Sequence, residues 1–557
     1  MTRILVKRGL KEKLSTLMQG EFGYATDTEE LFIGDTSKGN VQISKKEYVD
    51  SEIARVDAEI VRVDAQLADI AYSVKDKVTS QIQQSIDDNH LKGVIYFPNT
   101  DTNIYTLTDT LKIPSNTSIL FADGVTLKLD NGINKPLIEN SDKTNGNTKI
   151  SIVGGIFDMN IANQTIQTPA ISMHRVSYSY FGKMEVTGTK FVSYVGIGAF
   201  DMYLSDYNII EDCKLYNSAD EGLYLRECNH CKVMRGEFYN CPNGSGVASE
   251  KGSFNEFIGV HSYGNSGSNI SINGLYSKIL HCTSEDGLGF NGITLGHPDS
   301  PASYSIVSGC LVRNNKNGIR ILGSGVGVVV SKNTLIDNNF DSTAIAIGIS
   351  DSSSDCVVTD NYIFNNWLGI YISTGVRGNV IKNNIVKNSK GTGITINASE
   401  NCIIEGNLCE NNALNGTGYG VYVSTTSKNN IISNNRCFDS QGTKTQQRGI
   451  YCDGTKNVIS NNIVFGNSVT QLTAATGNFL SNNIMSSTDA MRFDVNLSDA
   501  TSTVITNGNI NTDSKISFVP KTSTAIDRNI YQSAITNGSV TLTHLAGTGD
   551  IISVSIN

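Results

Sequence analysis

Between Val49 and Val74 the apolar residues fall at Val49, Ile53, Val56, Ile60, Val63, Leu67, Ile70 and Val74, in alternating steps of four and three. The residues between them are mostly Asp, Glu, Arg and Ala. A sustained seven-residue repeat predicts a coiled coil, because a lone surface helix drifts at about 3.6 residues per turn. β-Branched residues at both seam positions favour more than two strands, and a trimer is the expected state. A second, shorter helical stretch follows from Thr79 to Asp88, with Ile82 and Ile86 four apart.

Further on the period changes from seven to two. Gly-apolar-x-apolar recurs at Gly222, Gly292, Gly318, Gly369, Gly393, Gly420 and Gly449, with a looser copy at Gly246. A second element ends in Asn beside an apolar pair, at Asn333, Asn361, Asn384, Asn407, Asn435, Asn462 and Asn483. Both recur with spacings mostly in the twenties, as one rung of about three short strands requires at ~3.3 Å per residue. An Asn at each bend tolerates the left-handed conformation, and stacked amides bond to the rungs above and below. A parallel β-solenoid is expected; a propeller or sandwich would leave a single Asn column unexplained. From about Ser487 the repeat stops. Short β-like runs and the Asn507-Gly508 and Asn537-Gly538 turns predict a small C-terminal β-domain that caps the solenoid and locks the trimer, or binds a receptor.

Composition narrows the function. The 557 residues exceed one ordinary core, and 39% apolar with 17% charged excludes disorder. A net charge of -9 argues against a nucleic-acid surface and would mildly repel anionic polymers. The opening MTRILVKRGL lacks a signal-peptide core, and no stretch would span a bilayer. Eleven Cys lie scattered in apolar runs; Cys228 and Cys231 form one C-x-x-C with no second pair at zinc spacing. They read as buried free thiols from a reducing cytoplasm, and neither a metal nor a cofactor is expected.

Two segments carry a family resemblance. Lys7-Arg8-Gly9, then Gly20-Glu21-Phe22-Gly23-Tyr24-Ala25-Thr26-Asp27-Thr28 and Leu31-Phe32-Ile33-Gly34-Asp35, resemble the N-terminal module of phage tail-fibre and receptor-binding proteins. Gly93-Val94-Ile95-Tyr96-Phe97-Pro98, Tyr105-Thr106-Leu107 and Leu111-Lys112-Ile113-Pro114-Ser115-Asn116-Thr117, behind a helix, resemble the start of the pectate-lyase-like β-helices of phage tail spikes. The resemblance implies a mainly β protein: a right-handed parallel β-helix whose first helix caps its open end. The expected modules are an anchor (1–46), a trimeric coiled coil (47–76), the cap and β-helix (77–486) and the C-terminal β-domain (487–557). It also implies a virion protein made in the host cytoplasm, joined to a phage tail or baseplate protein by its first module, and engaging a bacterial surface glycan.

A solenoid stacks outward residues into columns suited to an extended polymer. Tyr224, Tyr371, Tyr422 and Tyr451 would face sugar rings or pack between subunits. Glycan hydrolysis takes two carboxylates, and lyase chemistry a general base beside a uronate. Aligning rungs on Ala170, Gly196, Gly222, Gly246, Asn269 and Gly292 gathers charge in the early rungs. One column then reads His174, Phe200, Arg226, Glu250, Asn273, and the next Arg175, Asp201, Glu227, Lys251, Gly274. Asp201, Glu227 and Glu250 are the first catalytic candidates, followed by Asp220 and Glu221. His174, Arg175, Tyr224, Arg226 and Lys251 are candidates for substrate binding. Glu285, Asp286, His297 and Asp299 would form an alternative face. The expected activity is a depolymerase acting on capsule, exopolysaccharide or teichoic acid, hydrolase before lyase or phosphodiesterase. The alternative is a non-catalytic receptor-binding fibre of the same fold.

Overall fold

The computed structural model describes residues 72–485 apart from 76, 194, 195 and 288, together with the strands of both terminal segments. Residues 45–71, which hold most of the predicted coiled coil, lie outside the described residues. The chain divides into two compact units, Met1–Ser73 and Val74–Asn557. In the first, Val6–Gly9, Phe22–Ala25, Glu30–Asp35 and Gly39–Ser44 form one four-stranded sheet in that order. Phe22–Ala25 pairs antiparallel with Glu30–Asp35, Phe22 opposite Ile33 and Ala25 opposite Glu30, around the Asp-Thr segment.

The second unit is a parallel β-solenoid. Each rung contributes three short strands, for example Ile209–Glu211, Lys214–Tyr216 and Leu223–Arg226. Stacking the rungs makes three sheets, here the first, second and third faces in the order of that example. The second and third faces hold fifteen strands each, the third running from Leu111–Ile113 to Thr470–Ala474. Alternate side chains point inward and stack on their equivalents, as in the column Ile363, Val386, Cys409, Cys437, Val464. All five are fully buried. Every cysteine is buried and unbridged, filling interior volume as a small apolar side chain.

Both recurring motifs have a steric or hydrogen-bonding cause. A Cβ at Gly369 would lie 2.2 Å from the Gly393 carbonyl oxygen, and one at Gly420 would lie 2.6 Å from that of Gly449. The glycine is therefore required where one rung passes close under the next. The Asn column forms one continuous ladder: the Nδ2 of Asn333, Asn361, Asn384, Asn407, Asn435 and Asn462 each donates to the Oδ1 of the next, at 2.9 to 3.0 Å. The left-handed residue at each of these bends is not the ladder Asn but its predecessor, as at Lys332, Asp360, Asn383 and Asn434. That residue turns the chain, which frees the Asn side chain to point inward and be buried.

The helix Thr79–Asn89 closes the N-terminal end with Ile82 and Ile86 buried. Its Gln83 side chain completes the outermost strand of the third face, donating to the Lys112 carbonyl at 2.9 Å and accepting its N–H at 2.8 Å. An otherwise open edge is thus satisfied by a side-chain amide. After residue 491 the described strands form two three-stranded antiparallel sheets around Leu497, Ile505, Val540, Leu542, Ile552 and Val554. No helix among the described residues is long and apolar enough to cross a membrane.

Candidate active-site cleft

On the third face the strand register sets two outward columns. The first runs Lys112, Glu139, Ser172, Asp201, Tyr224, Ala248, Ser271, Thr294, Arg320. The second, two residues later on each strand, runs His174, Tyr203, Arg226, Glu250, Asn273. The expected alignment therefore slips by three residues in one rung. Ala199, not Gly196, is the counterpart of Gly222, since the Ala199 and Phe200 N–H groups donate to the Glu221 and Gly222 carbonyls. The cause is a long connection, residues 188–199, where the next rung uses only 217–222. Asp201 moves into the strand column beside Tyr224, and Tyr203 takes the place expected for Phe200.

Arg175, Glu227 and Lys251 share a different position with Leu204. All four are left-handed turn residues, with φ of 56°, 52°, 56° and 50°. Glu227 is thus held away from the strand column, and its backbone N–H donates to the Glu250 carbonyl at 2.7 Å. Arg175 is exposed at its turn.

The strand carboxylates have distinct surroundings. Asp201 is buried and forked by Arg226, whose Nε and Nη2 donate at 3.1 and 2.6 Å. Burial pushes the Asp201 carboxyl up, against the pull of Arg226 and Lys143. The Arg226 guanidinium also lies over the rings of Tyr203 and Tyr224, at 5.2 and 5.5 Å. Glu250 accepts the Tyr224 hydroxyl and has Lys251 Nζ 3.6 Å away. Burial, with Glu250 beside it, raises the Tyr224 phenol. His174 is pushed down to about 4 by burial and by the Lys143 and Arg226 cations, so it is neutral at pH 7.

Asp220 and Glu221 differ sharply. Asp220 is fully buried and accepts the N–H groups of Gly196 and Ile197 at 2.8 and 3.4 Å, pinning the long connection. Glu221 is buried too, but its Oε2 has no hydrogen-bond partner. Burial, reinforced by the Asp220 carboxylate, pushes Glu221 up to about 8. It therefore carries its proton at neutral pH, while Glu250 is held beside a cation.

Glu221, Tyr224, Glu250 and Lys251 line one end of a cleft of about 710 Å³. Its floor is small, Ala248, Ser271 and Thr294, and its far wall is the loop Gly296–Ser300 with Leu322 and Asp351. His297 and Asp299 thus belong to this cleft and not to a separate face. Glu285 lies on the second face, paired with His261 at 2.8 Å and with Arg313 Nε at 2.5 Å. Phe290, Asn273, Ser245, Gly289 and Ser266–Ser268 also line it, and neither they nor Asp351 were among the expected site residues. Loop length is a sequence signal for the far wall alone: residues 296–305 separate two strands where the preceding rung uses 274–277. Among the described residues no group of His, Cys, Asp and Glu could hold a metal ion.

Comparison with known proteins matches a family model described as a right-handed beta helix region, over residues 192–348, 270–437 and 333–487. No curated protein sequence matches. Among solved structures, the pre-mature gene product 12 of bacteriophage phi29 is 13% identical, with 90% of this chain and 93% of that chain covered and a TM-score of 0.48. The tailspike protein of E. coli bacteriophage HK620, solved with a pentasaccharide, is 12% identical over 86% of this chain and 89% of that chain, at 0.46. The A-module of a mannuronan C-5 epimerase from Azotobacter vinelandii is 14% identical over 75% and 98%, at 0.31. The matched segments together run from 192 to 487, more than half of the sequence, and the chain belongs to the right-handed β-helix family.

Proposed function

We propose that this protein is a phage tail spike that binds an extended bacterial surface polysaccharide along its third face and hydrolyses it in the cleft. The observation that carries the reading is the pairing of Glu221 with Glu250. One carboxyl is neutral and unbonded at Oε2; the other is held by a phenol and a cation. They line the same cleft from neighbouring rungs, Glu221 level with Ser245 and Glu250 five residues further along that strand, and the Glu250 charge is among the causes that raise Glu221. Two carboxyl groups whose surroundings divide them into acid and base are what glycoside hydrolysis uses.

In this reading the Glu221 carboxyl protonates the glycosidic oxygen as the bond to the anomeric carbon breaks. The Glu250 carboxylate supplies the second function, attacking the anomeric carbon or taking a proton from water. Tyr224 and Lys251 hold it in place. Asp201 is committed to Arg226 and serves as a positioning residue for the Tyr203–Arg226–Tyr224 stack. Glu227 drops behind Glu221 as a catalytic candidate because it does not line the cleft, which takes in Lys251 from the next rung's turn. The N-terminal sheet fits the virion-anchor role, through a tail or baseplate protein, and a homotrimer fits the heptad pattern.

The test is incubation of the full chain with polymer extracted from host cells, following reducing ends, phosphate esters and unsaturated-uronide absorbance together. Reducing ends are expected from the natural sequence, with loss in Glu221→Gln and Glu250→Gln while binding persists. Absorbance would replace the acid–base pair by lyase chemistry, and phosphate esters by phosphodiester cleavage. Binding without any product would leave a non-catalytic receptor-binding fibre.

A further inference from the structure

The first outward column changes character beyond the cleft floor. After Ala248, Ser271 and Thr294 comes Arg320, and after it Gly348. The small residues make the trough, and Arg320 stands at its end. From Tyr224 to Arg320 is four rung steps, about 19 Å along the axis at ~4.8 Å each. A chain lying in the trough with its scissile bond at Glu221 would bring a later substituent to this arginine.

Arg320 is placed unlike Arg226, Arg235 and Arg313. Arg226 is paired with Asp201, Arg235 with Asp212 and Glu211, and Arg313 with Glu285. Arg320 is half-buried, and among the described residues no carboxylate lies within ion-pair distance of it. Its Nη2 donates to the Ser350 hydroxyl at 3.0 Å, and its Nε is buried without an acceptor. The side chain lies across Gly348, where a Cβ would sit 2.5 Å from Nε. Asp351, at the cleft wall, is the acid that acts on it through space. A guanidinium whose Nε has lost water without gaining an acceptor is costly in the free protein. The same guanidinium is prepared for an oxyanion, whose planar or tetrahedral oxygens match its fork of donors.

Resting on the glycan-cleft reading above, we propose that Arg320 is the specificity-determining residue of a distal subsite, and that the substrate class is an anionic polysaccharide bearing an oxyanion substituent. Uronate carboxylate and phosphodiester share this chemistry. The overall charge of -9 repels such polymers, so one cation without an ion-pair partner at the end of the trough selects by position and not by general attraction.

The experiment uses the full chain on a surface printed with purified bacterial polysaccharides in three sets: neutral, uronate-bearing, and phosphodiester-bearing teichoic acids. Binding is expected to be confined to the charged sets, or stronger there by tenfold or more. Which charged set responds identifies the source of the oxyanion. Arg320→Met is expected to lose at least about tenfold on the charged polymer and little on any neutral one. Gly348→Ala, which keeps the charge and displaces Nε, is expected to lose binding in the same direction. Glu221→Gln is expected to keep the charge preference. Preferential binding to neutral polymers, or charged binding unchanged in both Arg320→Met and Gly348→Ala, would overturn the distal subsite and leave the cleft reading standing. Failure to bind any polysaccharide would overturn both.

Discussion

The neutral carboxyl of Glu221 has a consequence that does not depend on knowing the substrate. An unfolded Glu titrates near 4.5, and this one near 8. Between those values the unfolded chain releases a proton that the folded chain keeps. The folded form therefore binds more protons, and stability falls as pH rises through this window. One unit of pH is worth about 1.4 kcal/mol, so from pH 5 to pH 8 the group removes up to about 4 kcal/mol. Glu221→Gln has nearly the same shape and cannot ionise. Urea unfolding of both proteins at pH 5, 6, 7, 8 and 9 separates this group from all others, because everything else titrates alike in the two. The variant is expected to gain on the natural sequence steadily from pH 5 to 8 and to level off above. Activity adds a second reading of the same proton: cleavage falls above pH 8 as the acid is lost, and the variant loses ~10²- to 10⁴-fold at neutral pH. Parallel pH–stability profiles would refute the neutral carboxyl, and with it the choice of Glu221 as acid.

Three further outcomes follow from particular contacts. Asn384→Ala strands the Asn361 backbone N–H, which donates to Asn384 Oδ1 at 3.1 Å, while Asn361 Nδ2 keeps the Val330 and Thr359 carbonyls; one buried donor left unmet should lower stability by about 1 to 3 kcal/mol in urea unfolding. Phe254 stacks between His230 and Tyr276, with centroids 4.8 and 5.0 Å away, so Phe254→Ala should lose about 1 to 3 kcal/mol although the ring is half exposed. His174 should show no titration of its ring proton resonances between pH 5.5 and 8, since burial beside Lys143 and Arg226 places it near 4; a midpoint near 6.5 would mean that its ring is open to water.

The solenoid was legible because its two constraints are local and repeat. Gly369 and its equivalents sit under a carbonyl of the next rung, and each ladder Asn bonds its neighbour, so both leave a fixed residue type once per rung. The site was only partly legible. Tyr224, Arg226, Glu250 and Lys251 lie in rungs where the Gly motif is present, and their columns were read correctly. Asp201 follows the long connection 188–199, and matching Gly196 to Gly222 displaced it by three positions. Because the strand Phe200–Tyr203 has only four residues, a slip of that size converts a strand residue into a turn residue. The separate roles of Asp220 and Glu221 had no sequence signal: both are acids in adjacent positions, and only burial and the Gly196 and Ile197 amides divide them.

The location of the cleft follows from which corners of the solenoid can vary. From the rung of Ser151–Val153 onward, the corner joining the first face to the second always has two residues, as between Glu211 and Lys214, Ser331 and Thr334, and Ser433 and Arg436. From Asn333 to Asn483 the second of the two residues is the ladder Asn, whereas in the earlier rungs, those of the cleft included, it is Cys213, Gly236, Val260, Cys282 or Cys310, and the corner keeps its length there without the ladder. The other two corners range widely in length, from 314–316 to 188–199 on one side of the third face, where the Asn315, Asn338 and Asn366 amides stay linked although the corner 337–344 is longer than its neighbours, and from 274–277 to 296–305 on the other. The third face is thus flanked by both variable corners, whereas the other two share the fixed one. Walls can be raised on either side of its strands without disturbing the stack, and the cleft uses both: Glu221, Ser245 and Ser266–Ser268 from one corner, Lys251 and Gly296–Ser300 from the other. A change of specificity in this scaffold should therefore enter by these loops and by outward residues such as Arg320, while the ladder corner stays constant in length.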